Sequence, residues 1–243
     1  MIPKIIHYCW LSDNPIPNEL QKYMATWKDK LPDYQFMLWN KERFDIHSVE
    51  WVEQAYEAKK YAFAADYIRL YAVYTYGGIY MDMDVEVLKS FNPLLEYPYF
   101  FGAETEMGIE GGVFGAEKGC YLLKECLEFY KNRRFILSDG TYNIQGLPKV
   151  MYRQITAHHP LTISPCPNYQ SLSVQVFPFD YFTAKSASTG VVKPTENTYT
   201  IHHFAGTWLR TSVRHRVKLV FVRIFGESMI EYLSMVCSKL KKR

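Results

Sequence analysis

The sequence predicts an α/β fold built on a Rossmann-like mixed sheet flanked by helices. Three observations carry that expectation. The N-terminal stretch reads strand, helix, strand; an apolar helical stretch stops at Gly77-Gly78 and runs at once into a further strand; and 243 residues with 48% hydrophobic and 16% aromatic content are enough for one sizeable core, α/β domains of this length often being single.

Lys4 to Trp10 reads as a buried strand, and Ser12 to Pro17 as a loop by its turn residues. Glu19 to Lys30 is a helix with Leu20, Tyr23, Met24 and Trp27 inward, and Tyr34 to Trp39 is the second strand. No GxGxxG or P-loop sequence occurs, so the phosphates of a bound nucleotide would be held by a metal and side chains instead. Ligands of open α/β sheets collect beyond the carboxyl ends of the strands. Trp10 stands at such an end, and stacking on a base and burial in the core are equally open to it. From about Val49 to Tyr76 the pattern is helical, with Gly77-Gly78 as the C-cap. The stretch Tyr61 to Tyr71 is apolar apart from Asp66 and Arg69, so this helix is buried. At i,i+3 these two can form a self-satisfied ion pair or reach a cleft together.

The strand after the cap, Ile79 to Val87, alternates Met81, Met83, Val85 and Val87 on one face with Tyr80, Asp82, Asp84 and Glu86 on the other. Two carboxylates on one face repel each other, and a divalent cation relieves that. On a straight strand their Cα atoms lie roughly 6.5–7 Å apart, so both reach one ion directly only if the chain bends. One Asp on the metal and the other on substrate hydroxyls is the expected division. An isolated Asp-X-Asp is more often a solvated strand end, so the flanking residues decide.

Tyr99 to Ala103 and Gly111 to Ala116 read as strands around an acidic loop with Glu104, Glu106 and Glu110; Glu106 and Glu110 read as solvated surface acids. Tyr121 to Asn132 is an amphipathic helix, Gly146-Leu147-Pro148 a turn, and residues 160–200 are loop-rich, with Lys185 read as a solvated lysine rather than a phosphate contact. Thr198 to Trp208 carries adjacent His202 and His203, which point to opposite faces of an extended chain, so one of them is available as the nitrogen donor an Asp-X-Asp lacks.

Five cysteines without CxxC pairing fit reduced thiols. No apolar leader or run of membrane-spanning length occurs, and a cytoplasmic protein is expected, peripheral on the inner face of the cell membrane if its tail binds there. The net charge is +3, but from Leu209 onward nine Lys/Arg stand against two Glu. This divides the chain into a main domain over 1–208, catalytic if the resemblance described below holds, and a basic amphipathic helical extension over 209–243. The extension either docks on the core or meets an anionic membrane surface. Charge confined to one apolar-interleaved tail argues against nucleic acid.

Ala64-Ala65-Asp66-Tyr67-Ile68-Arg69 followed by Tyr74 to Asp84 resembles the DXD sugar-binding region of glycosyltransferase family 32, which includes yeast-type α-mannosyltransferases and bacterial capsule and surface-polysaccharide transferases. The block is also similar to the catalytic domains of the large clostridial glucosylating toxins, and Ile2 to Trp10 resembles the family's first strand. The resemblance implies a GT-A fold and a retaining, metal-dependent transferase. Trp10 would stack on the base, Asp66 and Arg69 grip the donor sugar, Asp82 contact ribose and sugar hydroxyls, and Asp84 bind the metal, Mn²⁺ ahead of Mg²⁺. The family's catalytic domain ends in a His-containing stretch with a Ser/Thr-Trp pair. Aligning on Trp208, which would close over the donor, favours His203 as metal ligand, with His202 the fallback. The Gly146-Leu147-Pro148 segment resembles a family Gly-Pro segment with one residue inserted, and no phosphate role is carried to it. The expected donor is a nucleoside-diphosphate sugar, UDP-hexose ahead of GDP-mannose, and the acceptor a saccharide or glycolipid of surface polysaccharide synthesis. The rivals are a metal-dependent hydrolase of the nucleotide sugar with water as acceptor and a non-catalytic, membrane-associated carbohydrate-binding protein of the same fold.

Overall fold

The computed structural model describes residues 1–105, 107–187 and 189–205. Trp208 and the basic extension expected over 209–243 lie outside the described residues, as does Glu106.

The N-terminal unit is β1 (Ile5–Cys9), α1 (Asn18–Lys30) and β2 (Gln35–Trp39), with β1 and β2 parallel from Ile5 opposite Gln35 to Cys9 opposite Trp39. The expected long helix is two, α2 (Glu50–Glu57) and α3 (Tyr61–Tyr76), because Lys59 takes a left-handed φ of 57° between them. Strands β3 (Gly78–Met81), β4 (Val85–Val87), β5 (Tyr99–Phe100), β6 (Ala103–Thr105), β7 (Gly108–Ile109) and β8 (Val113–Ala116) follow. Beyond them come α4 (Tyr121–Glu128), α5 (Leu147–Thr156), β9 (Leu161–Ile163), β10 (Val174–Val176), α6 (Phe179–Phe182) and β11 (Thr200–His202). The Gly146-Leu147-Pro148 segment is the start of α5, where Pro is tolerated because first-turn N–H groups have no intrahelical partner.

The main sheet runs β2-β1-β3-β8-β5, with β1, β2 and β3 parallel and β8 antiparallel to both neighbours. On one face Trp39, Tyr80 and Phe114 pack with Ile68 and Val73 of α3 and with the apolar sides of α2, α4 and α5. On the other, Ile6, Ile79, Met81, Val113 and Phe100 meet Leu20 and Trp27 of α1.

Gly77 and Gly78 make the change from α3 to β3 possible. The Gly77 N–H closes the helix on the Val73 carbonyl, both residues take positive φ (69° and 109°), and a Cβ on Gly78 would stand 2.7 Å from the Ile5 carbonyl oxygen.

The expected single strand from Ile79 to Val87 is interrupted. Asp82 to Asp84 form a turn, with the Val85 N–H donating to the Asp82 carbonyl, and β4 leaves the main sheet to pair antiparallel with β11. Helix α1 holds β4 in that position: Trp27 Nε1 donates to the Val85 carbonyl at 2.7 Å, and the Val87 N–H donates to Thr26 Oγ1 at 2.9 Å. The turn is therefore braced from behind by side chains of α1.

His7 on β1 is buried between two partners that fix its tautomer. Trp39 Nε1–H donates to Nδ1 (3.0 Å), so the ring proton sits on Nε2 and is donated to the Gly77 carbonyl (2.8 Å). Burial lowers its pKa to about 4. The unfolded chain thus takes up a proton near pH 6.5 that the folded chain refuses until about pH 4, which removes about 3 kcal/mol of stability across that window as pH falls. His7→Gln offers an acceptor and a donor but does not titrate. The wild-type stability advantage over it in denaturant melts is expected to shrink from pH 7 to pH 4.5; an advantage constant with pH would refute the neutral buried imidazole.

The described cysteines Cys9, Cys120, Cys126 and Cys166 are unpaired. Among the described residues no helix is long and apolar enough to cross a membrane.

Candidate active site

The site is built where α3, the β3–β4 turn, the β7–β8 turn and β11 meet. Asp66 and Arg69 lie on the buried side of α3, each 7% exposed. Arg69 is the centre of one half. Its Nη1 donates to Asp82 Oδ2 (3.0 Å) and to the Gly111 carbonyl (2.8 Å), its Nη2 lies 3.3 Å from Asp66 Oδ1, and its guanidinium carbon sits 4.7 Å from the centroid of the Tyr80 ring. Tyr80 O–H donates to the second Asp82 oxygen at 2.8 Å. Asp66 and Arg69 thus pair with each other, and Arg69 also reaches Asp82.

Burial pushes the Asp66 carboxyl up to about 7, although Arg69 and the Leu147 N–H at the start of α5 oppose this. A carboxyl so poised can accept from or donate to a hydroxyl. Glu104 on β6 is likewise pushed up to about 7, by burial and then by Glu110.

The other half centres on Asp84. Its Oδ2 accepts from the Ala205 N–H at 2.7 Å, and its carbonyl accepts from the His203 N–H at 2.9 Å. Of the two histidines it is His202 that faces the carboxylates. Its Nε2 lies 3.4 Å from Asp84 Oδ1 and 4.0 Å from Asp82 Oδ2. The preference for His203 is corrected by this placement: His203 lies on the opposite face, its Nε2 2.8 Å from Glu86 Oε2 and its ring stacked on Tyr23 at 4.2 Å. The physical reason is register. His202 opposes Val85, whose neighbours on β4 turn their buried face inward at 85 and 87, while His203 shares the outer face with Glu86.

Asp82, Asp84 and His202 offer ligand atoms all within 4.8 Å of one another. Ligands at about 2.1 Å from one cation lie roughly 3.0–4.2 Å apart, so the 3.4 and 4.0 Å separations fit a divalent ion. The bend at Asp82–Asp84 is what lets both carboxylates face one point, where a straight strand would allow only one. Burial opposes charge on this cluster, but His202 outweighs it at Asp84, whose carboxyl is held down at about 2 with help from the Ala205 N–H. Burial likewise works against a charged His202, and Glu110 and Asp84 reverse it, holding the imidazole well above its ordinary pKa. A positive charge is what this cluster selects.

Glu110 was read as a solvated acid and is 1% exposed. Its Oε1 lies 3.1 Å from His202 Nδ1 and accepts from the Gly112 N–H at 2.6 Å, while Oε2 accepts from Thr183 Oγ1 at 2.7 Å. Lys185 is partly buried at the rim of the cluster, where its Nζ donates to the His203 carbonyl at 2.5 Å. Trp10 is half-buried at the end of β1, with Nε1 donating to the Asn14 carbonyl at 2.8 Å. It is not among the residues the cluster brings together.

Residues 17–101 match the family described as "Glycosyltransferase sugar-binding region containing DXD motif". Over this stretch, about a third of its length, the chain is similar to that family. Inositol phosphoceramide mannosyltransferase 3 of Schizosaccharomyces pombe is 36% identical to the chain over 122 residues, which are 49% of this chain and 34% of that protein. Mannosyl phosphorylinositol ceramide synthase SUR1 of Saccharomyces cerevisiae is 32% identical over 48% of this chain and 31% of its own length. The chain thus spans about a third of the length of these two curated relatives. Among solved structures, PaToxG glycosyltransferase matches with a TM-score of 0.51 at 21% identity, over 64% of this chain and 68% of that one. The fold is GT-A-like, and the matched stretch supplies Asp66, Arg69, Asp82 and Asp84, whereas His202 and Glu110 come from beyond it.

Proposed function

We propose that the chain transfers a hexose from a nucleoside-diphosphate sugar to a hydroxyl of a glycolipid or saccharide. The observation that carries this reading is the convergence of Arg69, Asp66 and Asp82 with the Asp82–Asp84–His202 donor set. A divalent cation, Mn²⁺ ahead of Mg²⁺, held by Asp84, His202 and Asp82, would neutralise charge on the leaving diphosphate. Arg69 keeps Asp82 and Asp66 oriented, and their free acceptor positions can hydrogen-bond sugar hydroxyls and fix the anomeric carbon toward the acceptor.

The similarity to an inositol phosphoceramide mannosyltransferase and a mannosyl phosphorylinositol ceramide synthase supports mannose as the sugar and an inositol phosphoceramide-like lipid as the acceptor class, ahead of the UDP-hexose and capsule reading drawn from sequence. The test is thermal stabilisation of the protein by GDP and by UDP, each with Mn²⁺ and with EDTA. Stabilisation by GDP in Mn²⁺ but not in EDTA is the expected result; the same behaviour with UDP alone would return the donor to a UDP-hexose. No shift with either nucleotide would leave the carbohydrate-binding rival standing.

A further inference from the structure

We infer that Glu110 is a positioning residue for the cation site: it holds His202 with Nδ1–H turned toward its own carboxylate and Nε2 turned toward Asp82 and Asp84. This inference rests on the reading of Asp82, Asp84 and His202 as a cation site.

The two ring nitrogens of His202 face different partners. Nδ1 stands 3.1 Å from Glu110 Oε1, while Nε2 stands 3.4 Å from Asp84 Oδ1 and 4.0 Å from Asp82 Oδ2. Both nitrogens face carboxylates, and Nδ1 makes the shorter contact; with a cation between Asp82 and Asp84 the ring would keep a single proton, on Nδ1 where Glu110 accepts it, and the lone pair would be left on Nε2. A histidine held this way by a buried carboxylate is a stronger ligand and is fixed in rotation about its Cβ–Cγ bond.

Glu110 is itself held too firmly to drift. Oε1 takes the Gly112 N–H and Oε2 takes the Thr183 hydroxyl, so both oxygens are committed to the protein and neither needs solvent. The local sequence makes the approach possible. A Cβ on Gly112 would stand 2.6 Å from His202 Cε1 and 2.9 Å from Glu110 Oε1, so only glycine lets the main chain come close enough to close the Glu110–His202 contact. Phe204, at a positive φ of 49°, stacks on the imidazole at 4.1 Å. A glycine and a buried acid thus both serve the orientation of one ring.

The test measures Mn²⁺ binding to the full chain by the EPR signal of free Mn²⁺, without substrate or turnover. Glu110→Gln retains shape and an acceptor oxygen but loses the charge, and its Mn²⁺ Kd is expected to rise about 10–100-fold. Asp84→Ala serves as the control that removes a ligand outright. Glu110→Gln binding Mn²⁺ as the wild type does, whatever happens to its melting temperature, would overturn the inference and leave Glu110 a structural acid. If Glu110→Gln does not fold, Thr183→Val decides in its place. Freed of one tether, Glu110 should lose part of its hold, and a several-fold weaker Kd supports the inference while an unchanged one overturns it. Failure of the wild type itself to bind Mn²⁺ would bring down the cation site and this inference with it, an outcome separate from a wild type that binds and a Glu110→Gln variant that is indistinguishable from it.

Discussion

Asp84→Ala is expected to lower glycosyl transfer by about three orders of magnitude, with the Mn²⁺-dependent stabilisation by nucleotide lost as well. Removing one preorganised contact to developing charge costs about 10²–10³ in rate, and Asp84 is more than one contact. Its Oδ1 faces His202 Nε2, and its Oδ2 anchors the Ala205 N–H, so alanine removes a ligand and frees the chain that carries His202. The metal-free fold should survive, because β4 is held by Trp27 and Thr26 of α1 and by its pairing with β11, none of which uses the Asp84 side chain. The measurement is transfer to an acceptor alongside melting with and without Mn²⁺ and nucleotide. Transfer within tenfold of wild type would refute the assignment of Asp84 to the reaction.

Arg69→Met is expected to give the largest loss of stability of any single change at the site. Arg69 answers two buried carboxylates and a carbonyl at once. Methionine fills much of the volume but leaves Asp66 and Asp82 facing each other without a cation, and breaking a buried ion pair from one side costs about 3–5 kcal/mol. The sign of its pH dependence follows from Asp66. Its carboxyl already sits at about 7 with Arg69 in place, because burial outweighs the guanidinium. Without Arg69 it moves higher still, and a protonated Asp66 no longer repels Asp82. The destabilisation should therefore be greatest above neutrality and diminish as the pH falls, which denaturant melts at pH 8.5 and pH 5.5 would read. A loss independent of pH would mean that packing rather than charge holds Arg69 in place. Transfer should be lost at both pH values, since Asp82 would be free to turn.

Much of this centre could be seen in the chain itself, because its first half is local. Asp66 and Arg69 are one helical turn apart, Asp82 and Asp84 flank one residue, and the glycine pair between them sets their distance, so spacing alone brings them to one place. The second half is not local. Alternation says that His202 and His203 face opposite ways but not which faces in; that is decided by β11 pairing with β4 in one register. The same holds for Glu110. An acid beside two glycines reads as a solvated loop, and the partners that bury it, Thr183 and His202, lie far along the chain. The break between α2 and α3 left no mark either, since no proline or glycine occurs at 57–61 and the left-handed turn is taken by Lys59. Alternation sets a bend at Asp82 only as the condition for both carboxylates to reach one ion, and the turn at Asp82–Asp84 meets that condition.

The β4–β11 pairing also sets an order of assembly. The five strands of the main sheet are all present once Ala116 has been made, yet Asp84 and the Ala205 N–H that caps it are 121 residues apart. On the ribosome, the scaffold and both aspartates thus precede the nitrogen donor by nearly half the chain. Closing so long a loop adds only slowly to the entropic cost but comes late in folding. A growing chain therefore acquires its architecture first and its capacity to hold a cation last, so the acid pair is formed before it can trap one.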